Sequence, residues 1–251
     1  MANPVLSESI FRKTQATESY SLSMSVKGTA TKALIMVIMV LAGALYTWKI
    51  AFQSIDPAAV KPWMWGGAIG GFVLALIISF KPVWAQYLAP LYGVLQGLFL
   101  GAISGIYSQA FVQQAPGIVM NATLLTIITS VVMLLVYRMR IIRVNGNFIR
   151  VITIATGAIG LYYLVSILLG LFGVNITMLH DSSPLSIGIS LVIVAVAAFS
   201  LLADFHFIEN ASASGAPKYM EWYGAFGLTV TIIWLYLEIL RLLAKFAGSR
   251  D

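Results

Sequence analysis

Cysteine is absent from this sequence, and charged residues are scarce. The missing cysteine excludes disulfide bonds, thiolate nucleophiles and cysteine-ligated metal sites. Only 10% of the 251 residues are charged, whereas a soluble domain carries roughly 25%. Residues 82–137 and 151–179 contain no Asp, Glu, Lys, Arg or His at all. The chain therefore lacks the polar surface of a water-soluble domain, and we expect an integral membrane protein.

Motifs for hydrolytic chemistry are missing as well. There is no H-E-x-x-H zinc motif, and neither of the two histidines lies deep in an apolar run, where it could activate a serine. Ser104 has no evident base, and an intramembrane aspartyl protease would need two aspartates. We therefore expect no enzyme and no cofactor. A proton-coupled transporter stays an alternative, although no inverted repeat of interrupted helices is visible.

Seven long apolar runs fill most of the chain. About 18 or more apolar residues suffice to cross the ~30 Å hydrocarbon layer, and runs without period-two alternation favour helices over a barrel. The runs are Ala33–Ile50, Trp63–Phe80, Leu88–Phe111, Gly117–Tyr137, Ile149–Phe172, Leu185–Ile208 and Tyr223–Leu243. The fold prediction is an all-α integral membrane protein, a bundle of seven transmembrane helices. It forms one domain over residues 33–243, between a flexible polar tail at 1–32 and a short basic tail at 244–251.

The first run and the breaks between the runs carry local sequence signals. Ala42-Gly43-Ala44 mimics a signal-peptide cleavage site, but the polar stretch before the run is longer than such a signal has, so we treat the run as a span. Pro116-Gly117 and Asn145-Gly146 separate neighbouring runs, and residues 181–184 (Asp-Ser-Ser-Pro) predict the start of the sixth helix.

The basic residues predict an orientation. The formal net charge is +6, but the basic residues lie at span ends and in loops, so we expect no nucleic-acid partner and a lipid bilayer instead. Cytoplasmic loops are enriched in Lys and Arg. With a cytoplasmic N-terminus and seven crossings, the cytoplasmic set is Arg12, Lys13, Lys27, Lys32, Lys81, Arg138, Arg140, Arg143, Arg150 and Lys218. The opposite set is smaller: Lys49, Lys61, Arg241, Lys245 and Arg250. If the last run re-entered instead of crossing, its three basic residues would join the cytoplasmic set.

Glycine recurs every fourth residue in the third run, at Gly93, Gly97, Gly101 and Gly105. These positions share one face of a helix, and small residues on one face let another helix backbone approach closely in lipid. The pattern predicts tight helix packing. A helix that slides in a smooth groove is the functional alternative.

Two acids interrupt otherwise apolar runs, Asp204 in the sixth and Glu238 in the seventh. An ionised group at mid-bilayer costs roughly 2.5–3.5 kcal/mol on insertion scales, so each acid needs a partner, water or a proton. Helical steps back from Glu238 and from Asp204 meet mostly small or polar residues, which predicts that both acids face the bundle interior. Two carboxylates in contact there would share a proton, and when deprotonated they would bind a hard cation such as Ca²⁺.

A purely structural interpretation of the two acids stays open. Glu238 and Arg241 are three residues apart and could form an intrahelical ion pair. Asp204 has His206 and Lys218 nearby in sequence.

Four residues in or near the last two runs are auxiliary candidates for a pH sensor: His206, Glu209, Glu221 and Arg241, the possible partner of Glu238. His206 could serve as such a sensor, although a histidine at a span end is common. Glu209 and Glu221 flank the loop between the last two runs, where we expect solvated side chains or, for Glu221, an anchor at the interface.

Three segments are distinctive as a set. They are LLADFHFIE at residues 201–209, YMEWYGAFGLTVTIIWLYLEILRLLAKF at 219–246 and APLYGVLQGLFLGAISGIY at 89–107. The first two resemble the last two helices of the Bax inhibitor-1/YccA-like family, and the third resembles its glycine-rich helix. Residues 3–6 (NPVL) resemble the start of its bacterial members.

The resemblance implies a bundle in which six helices surround the last one. It also implies a pH-sensitive calcium leak governed by acids on helices six and seven, in a bacterial inner membrane. Asp204 matches the first acid. Glu238 matches the second, which is usually an aspartate in a similar setting.

Two departures from the family pattern bear on this function. The segment between the acids is longer than expected, and the second run has no arginine to serve as a gate partner. In a simple antiparallel hairpin, Asp204 would lie opposite Tyr223–Phe226 or the nearby Glu221, and Glu238 would lie towards the other membrane side. The acids meet only if residues 209–222 run along the surface.

Two functions follow. The first is a pH-sensitive cation leak through a monomer, with Asp204 and Glu238 as sensor and weak Ca²⁺ ligands, and with Ca²⁺ or H⁺ as the transported or regulatory ion. The second is a membrane-embedded interaction protein that modulates a protease or a stress pathway without conducting ions.

Overall fold

The computed structural model describes residues 23–53, 57–173 and 181–249. Within these residues the chain forms seven long α-helices and no strand. They are α1 (Val26–Gln53), α2 (Lys61–Phe80), α3 (Ala85–Ala110), α4 (Ile118–Arg138), α5 (Gly146–Leu171), α6 (Pro184–Ala213) and α7 (Met220–Gly248). All seven are long and apolar enough to cross a membrane. The predicted seven-helix membrane bundle is confirmed.

Local sequence explains where helices α4, α5 and α6 begin. Gly117 precedes α4 with a φ of 80°, a left-handed conformation that favours glycine. The side chain of Asn145 accepts a hydrogen bond from the Phe148 amide at the start of α5. Ser183 does the same for the Ser186 amide at the start of α6, with Pro184 in the first turn. Side-chain caps of this kind satisfy backbone donors that have no partner within the helix.

The two ends of the bundle are named here by the termini. The N face carries the start of α1 and the α6–α7 turn, because Ser23 pairs with Pro217. The C face carries the end of α7 and the start of α6, because Gly248 lies against Ser182.

Both ends of the predicted domain differ from the structure. Helix α1 begins at Val26, so the predicted tail over residues 1–32 is wrong for residues 26–32, and residues 1–22 lie outside the described part. Helix α7 continues to Gly248, so the tail predicted from residue 244 begins later. Hydropathy marks the part of a helix that lies in hydrocarbon, whereas the helix itself continues through the interface with polar residues such as Lys27 and Lys245.

Helix α7 lies at the centre of the bundle. It packs against α1, α3, α4 and α6, and Tyr163 of α5 reaches its Glu238. Half of the apolar stretch of α7 is buried, against 6% of that of α5. Helix α2 packs chiefly on α3, at the edge of the bundle.

The four glycines of α3 lie against α1. A Cβ atom on Gly97 would stand 2.2 Å from the carbonyl oxygen of Val40, and one on Gly101 would stand 2.1 Å from that of Ala44. Gly105 faces Ala51 and Gly93 faces Met36. The two backbones therefore touch, and any side chain at the central glycines would separate them.

Candidate functional site

The α6–α7 hairpin positions Asp204. Helix α6 ends at Ala213, Gly215 turns the chain with a φ of 70°, and α7 starts at Met220. This short turn sets Asp204 beside the first turns of α7, where it lines a cavity of about 240 Å³. The other lining residues are Phe207, Ile208, Tyr223, Gly224, Phe226 and Gly227. The two glycines supply the space because they carry no side chain.

The Asp204 carboxyl is only partly satisfied. Its Oδ2 atom is buried and has no hydrogen-bond partner among the described residues. The Thr231 side chain, on the same side of α7, interacts with the carboxyl. Buried polar atoms are nearly always hydrogen-bonded, and an unpaired carboxylate in a low-dielectric site is costly. The free oxygen therefore needs a proton, a water molecule or a cation.

Glu238, in contrast, is fully engaged and only 1% exposed. Its Oε1 accepts hydrogen bonds from Tyr163 Oη at 2.9 Å and from Trp234 Nε1 at 3.1 Å. Arg241 donates to both carboxylate oxygens, at 3.0 and 2.9 Å, and also bonds Tyr163 Oη, so it closes the cluster. Its guanidinium lies over the Tyr163 ring, 4.9 Å from the centroid. The i,i+3 pair of Glu238 and Arg241 is present.

The two acids lie at different depths. Asp204 meets α7 between Tyr223 and Thr231, and Glu238 lies seven residues further on, about 10 Å along the axis at 1.5 Å per residue. Their hydrogen-bonding neighbours are different residues. Of the two arrangements that the sequence left open, the structure therefore shows the simple hairpin, in which the two carboxylates lie apart. The short turn fixes this register, because α7 starts at once instead of after a surface segment.

Lys245 is buried between α6 and α7 near the C face. The sequence had placed it only among the basic residues on the non-cytoplasmic side. Its Nζ donates to Ser186 Oγ and Ser190 Oγ at 2.7 Å each, and to the Ser186 carbonyl oxygen at 3.3 Å. It forms no ion pair with a described carboxylate. Asp181 is exposed and lies outside the spans. Its carboxylate accepts a hydrogen bond from Ser183 Oγ, which lowers the pKa of this carboxyl group. The sequence signal for Lys245 was its spacing of four from Arg241, which puts both on one stripe.

Glu221 is the largest departure from expectation near the site. It is fully buried, not solvated or anchored at the surface. It forms ion pairs with Lys32 and, at 2.9 Å, with Lys218, and it accepts hydrogen bonds from Ser25 N and Oγ at 3.0 and 2.9 Å. Its carboxylate thus ties the start of α1 to the start of α7.

The remaining auxiliary candidates lie near the N face. His206 shares a 2.8 Å hydrogen bond with Asn210, one turn along α6. Glu209 is exposed and accepts a hydrogen bond from Tyr137 of α4. Neither lines the Asp204 cavity.

The described residues contain no group of three or more His, Cys, Asp or Glu side chains that could hold a metal. Ca²⁺ takes six to eight oxygen ligands in tight sites, so one free carboxylate oxygen suits only a weakly held, exchangeable cation. The described residues therefore offer no high-affinity site for such a cation.

The family model described as Bax inhibitor 1 like matches residues 3–248. Comparisons with curated proteins and with solved structures gave no match. The family match extends over nearly the whole chain and agrees with the seven apolar helices. This multi-pass membrane protein belongs to the Bax inhibitor 1 like family.

Proposed function

We propose that this protein is a pH-sensitive cation leak pathway, permeable to Ca²⁺, in which Asp204 is the cation-binding group. Two observations support it: the buried Oδ2 atom of Asp204 has no hydrogen-bond partner among the described residues, and Asp204 lines a cavity between α6 and α7. A deprotonated carboxylate attracts a cation into this cavity, and a proton competes for the same oxygen. The leak therefore decreases as the pH falls. Glu238, held by three donors, is a fixed structural charge.

The test is Ca²⁺ influx into liposomes that contain the purified protein, at pH 6 and pH 8. We expect greater flux at pH 8, and we expect Asp204→Asn to remove the difference because asparagine does not titrate. Glu238→Gln is the matched control: flux per folded molecule retains its pH dependence, since that carboxylate is not free. Loss of the pH dependence in Glu238→Gln alone would contradict the assignment to Asp204.

Wild-type flux equal to that of empty liposomes at both pH values would reject the leak function. The protein would then be a membrane-embedded regulator, and a partner should co-purify with it from mild detergent.

We also propose that the N face is cytoplasmic and that the membrane is a bacterial inner membrane. The loop between α4 and α5 supports the orientation, because four arginines flank or occupy it: Arg138, Arg140, Arg143 and Arg150. Single cysteines at exposed Ser214 and Ser249 test this, since the chain has no other cysteine. In intact cells a membrane-impermeant maleimide should label Ser249→Cys and spare Ser214→Cys. The opposite result would reverse the topology.

A further inference from the structure

We infer that residues 23–25, named here the strap, close the Asp204 cavity on the N face and control access to it. The effect on ion flux rests on the proposed function, whereas the effect on access to the cavity does not. The strap precedes α1 in sequence but lies on the α6–α7 turn, almost two hundred residues away along the chain. Its contacts are of three kinds.

First, backbone contacts attach the strap to the turn. Met24 N donates to the Ala216 carbonyl oxygen at 2.6 Å, and Ser212 Oγ donates to the Met24 carbonyl oxygen at 3.2 Å. Ser23 and Pro217 form an antiparallel bridge. A segment that only led into α1 would not need hydrogen bonds between its backbone groups and the α6–α7 hairpin.

Second, the Met24 side chain lies at the edge of the cavity. It is 3% exposed. A Cβ atom on Gly224 would stand 3.4 Å from Met24 Cε and 3.2 Å from Ile208 Cγ1, and both Gly224 and Ile208 line the cavity. The methionine therefore packs against the cavity wall from the side of the N face, which is the side from which the strap would admit water or an ion. Methionine is flexible enough to move from such a position without disturbing the helices.

Third, Glu221 fixes the strap in place. Ser25 gives it both its backbone N–H and its hydroxyl, and Lys32 pairs with it from the next turn of α1. Gly28 allows this approach, because a Cβ atom there would stand 2.1 Å from Glu221 Oε1. One buried carboxylate thus holds the strap closed, three residues before Gly224 in α7.

A disulfide lock tests the inference. Residues paired across an antiparallel bridge have Cα atoms about 4.5–5.5 Å apart, within the roughly 4.4–6.8 Å that a disulfide spans. Ser23→Cys combined with Pro217→Cys would hold the only two cysteines of the chain. We expect Ca²⁺ flux at pH 8 to fall to the level of empty liposomes after oxidation and to recover after reduction. The single variant Ser23→Cys, oxidised in the same way, should keep its flux.

Access to the cavity is measured separately, without ion flux. Gly227 lines the cavity and has open space around its Cβ position, so Gly227→Cys is tolerated and reports access. Adding Met24→Ala should raise its rate of labelling by a water-soluble thiol reagent on the order of tenfold, as a strap shifted towards its open state predicts. Equal labelling rates with and without Met24→Ala would overturn the strap.

The outcomes separate the two proposals. A labelling change with no flux in any variant keeps the strap and rejects the leak. A pH-dependent flux that is the same with and without the disulfide and the Met24→Ala substitution would support the leak and reject the strap. Glu221 would then only anchor α1.

Discussion

Replacing Gly101 with alanine is expected to prevent the bundle from folding, although the change adds a single methyl group. The new Cβ atom would stand 2.1 Å from the carbonyl oxygen of Ala44 and 2.3 Å from Thr47 Oγ1. A backbone atom cannot rotate away as a side chain can, so α1 and α3 would have to separate along their whole contact. We expect the free energy of unfolding to fall by more than about 4 kcal/mol, a loss that is exceptionally large for a single substitution.

Gly157 of α5 provides the control, because nothing lies within 4 Å of its Cβ position. Alanine there should be neutral or stabilising by up to about 1 kcal/mol, since alanine is the better helix former. The measurement is the yield of monodisperse protein in detergent and its thermal unfolding midpoint. Equal midpoints for the two alanine variants would show that α1 and α3 can adjust, and that the glycine spacing is not a packing requirement.

The sequence predicted well those features that depend on local composition. Uncharged stretches located the helices, and the four-residue glycine period indicated the face of α3 that meets another backbone. The simple antiparallel hairpin predicted Asp204 opposite Tyr223–Phe226, and the structure shows it there. These features follow from neighbours within a helix or across a short turn, where spacing determines geometry.

Features that depend on distant residues were not predictable. Glu221 has a polar, aromatic sequence context typical of an interface, and its partners Ser25 and Lys32 lie 196 and 189 positions away. Tyr163, which satisfies Glu238, is 75 positions away, in a run that offers no sign of its target. The resemblance implied a leak governed by the two acids together, but the short α6–α7 turn sets a register that keeps them at different depths.

The polar groups along α7 form a series from the N face to the C face. Glu221 holds the strap, Asp204 enters from α6 at the cavity, and Glu238 is neutralised by Arg241. Lys245 ends the series among serine oxygens. Of these groups, only Asp204 has a buried side-chain oxygen without a hydrogen-bond partner among the described residues. Under the proposed leak, this difference makes Asp204 the cation-binding group and gives the other three a structural role.

If Glu238 is structural, its pair with Arg241 should show strong and asymmetric coupling. The Glu238 side chain is 2% exposed and that of Arg241 is 30% exposed. Arg241→Met leaves a buried carboxylate with only Tyr163 and Trp234, so we expect a loss of about 3 kcal/mol, near the lower end for a broken buried pair. Glu238→Gln leaves an arginine that can reach water, so we expect a loss of about 1 kcal/mol, as for a partly exposed pair.

The double variant Glu238→Gln/Arg241→Met should lose less than the two single variants together, with a coupling energy of roughly 1–3 kcal/mol, because no unpaired charge remains. Chemical unfolding in mixed micelles measures all four proteins of the cycle. Glu221→Gln combined with Arg241→Met is the control, because these residues share no partner and their losses should add within about 0.5 kcal/mol. Additive losses for Glu238 and Arg241 as well would mean that the pair does not stabilise the bundle. Glu238 would then be available to act beside Asp204 in the response to pH.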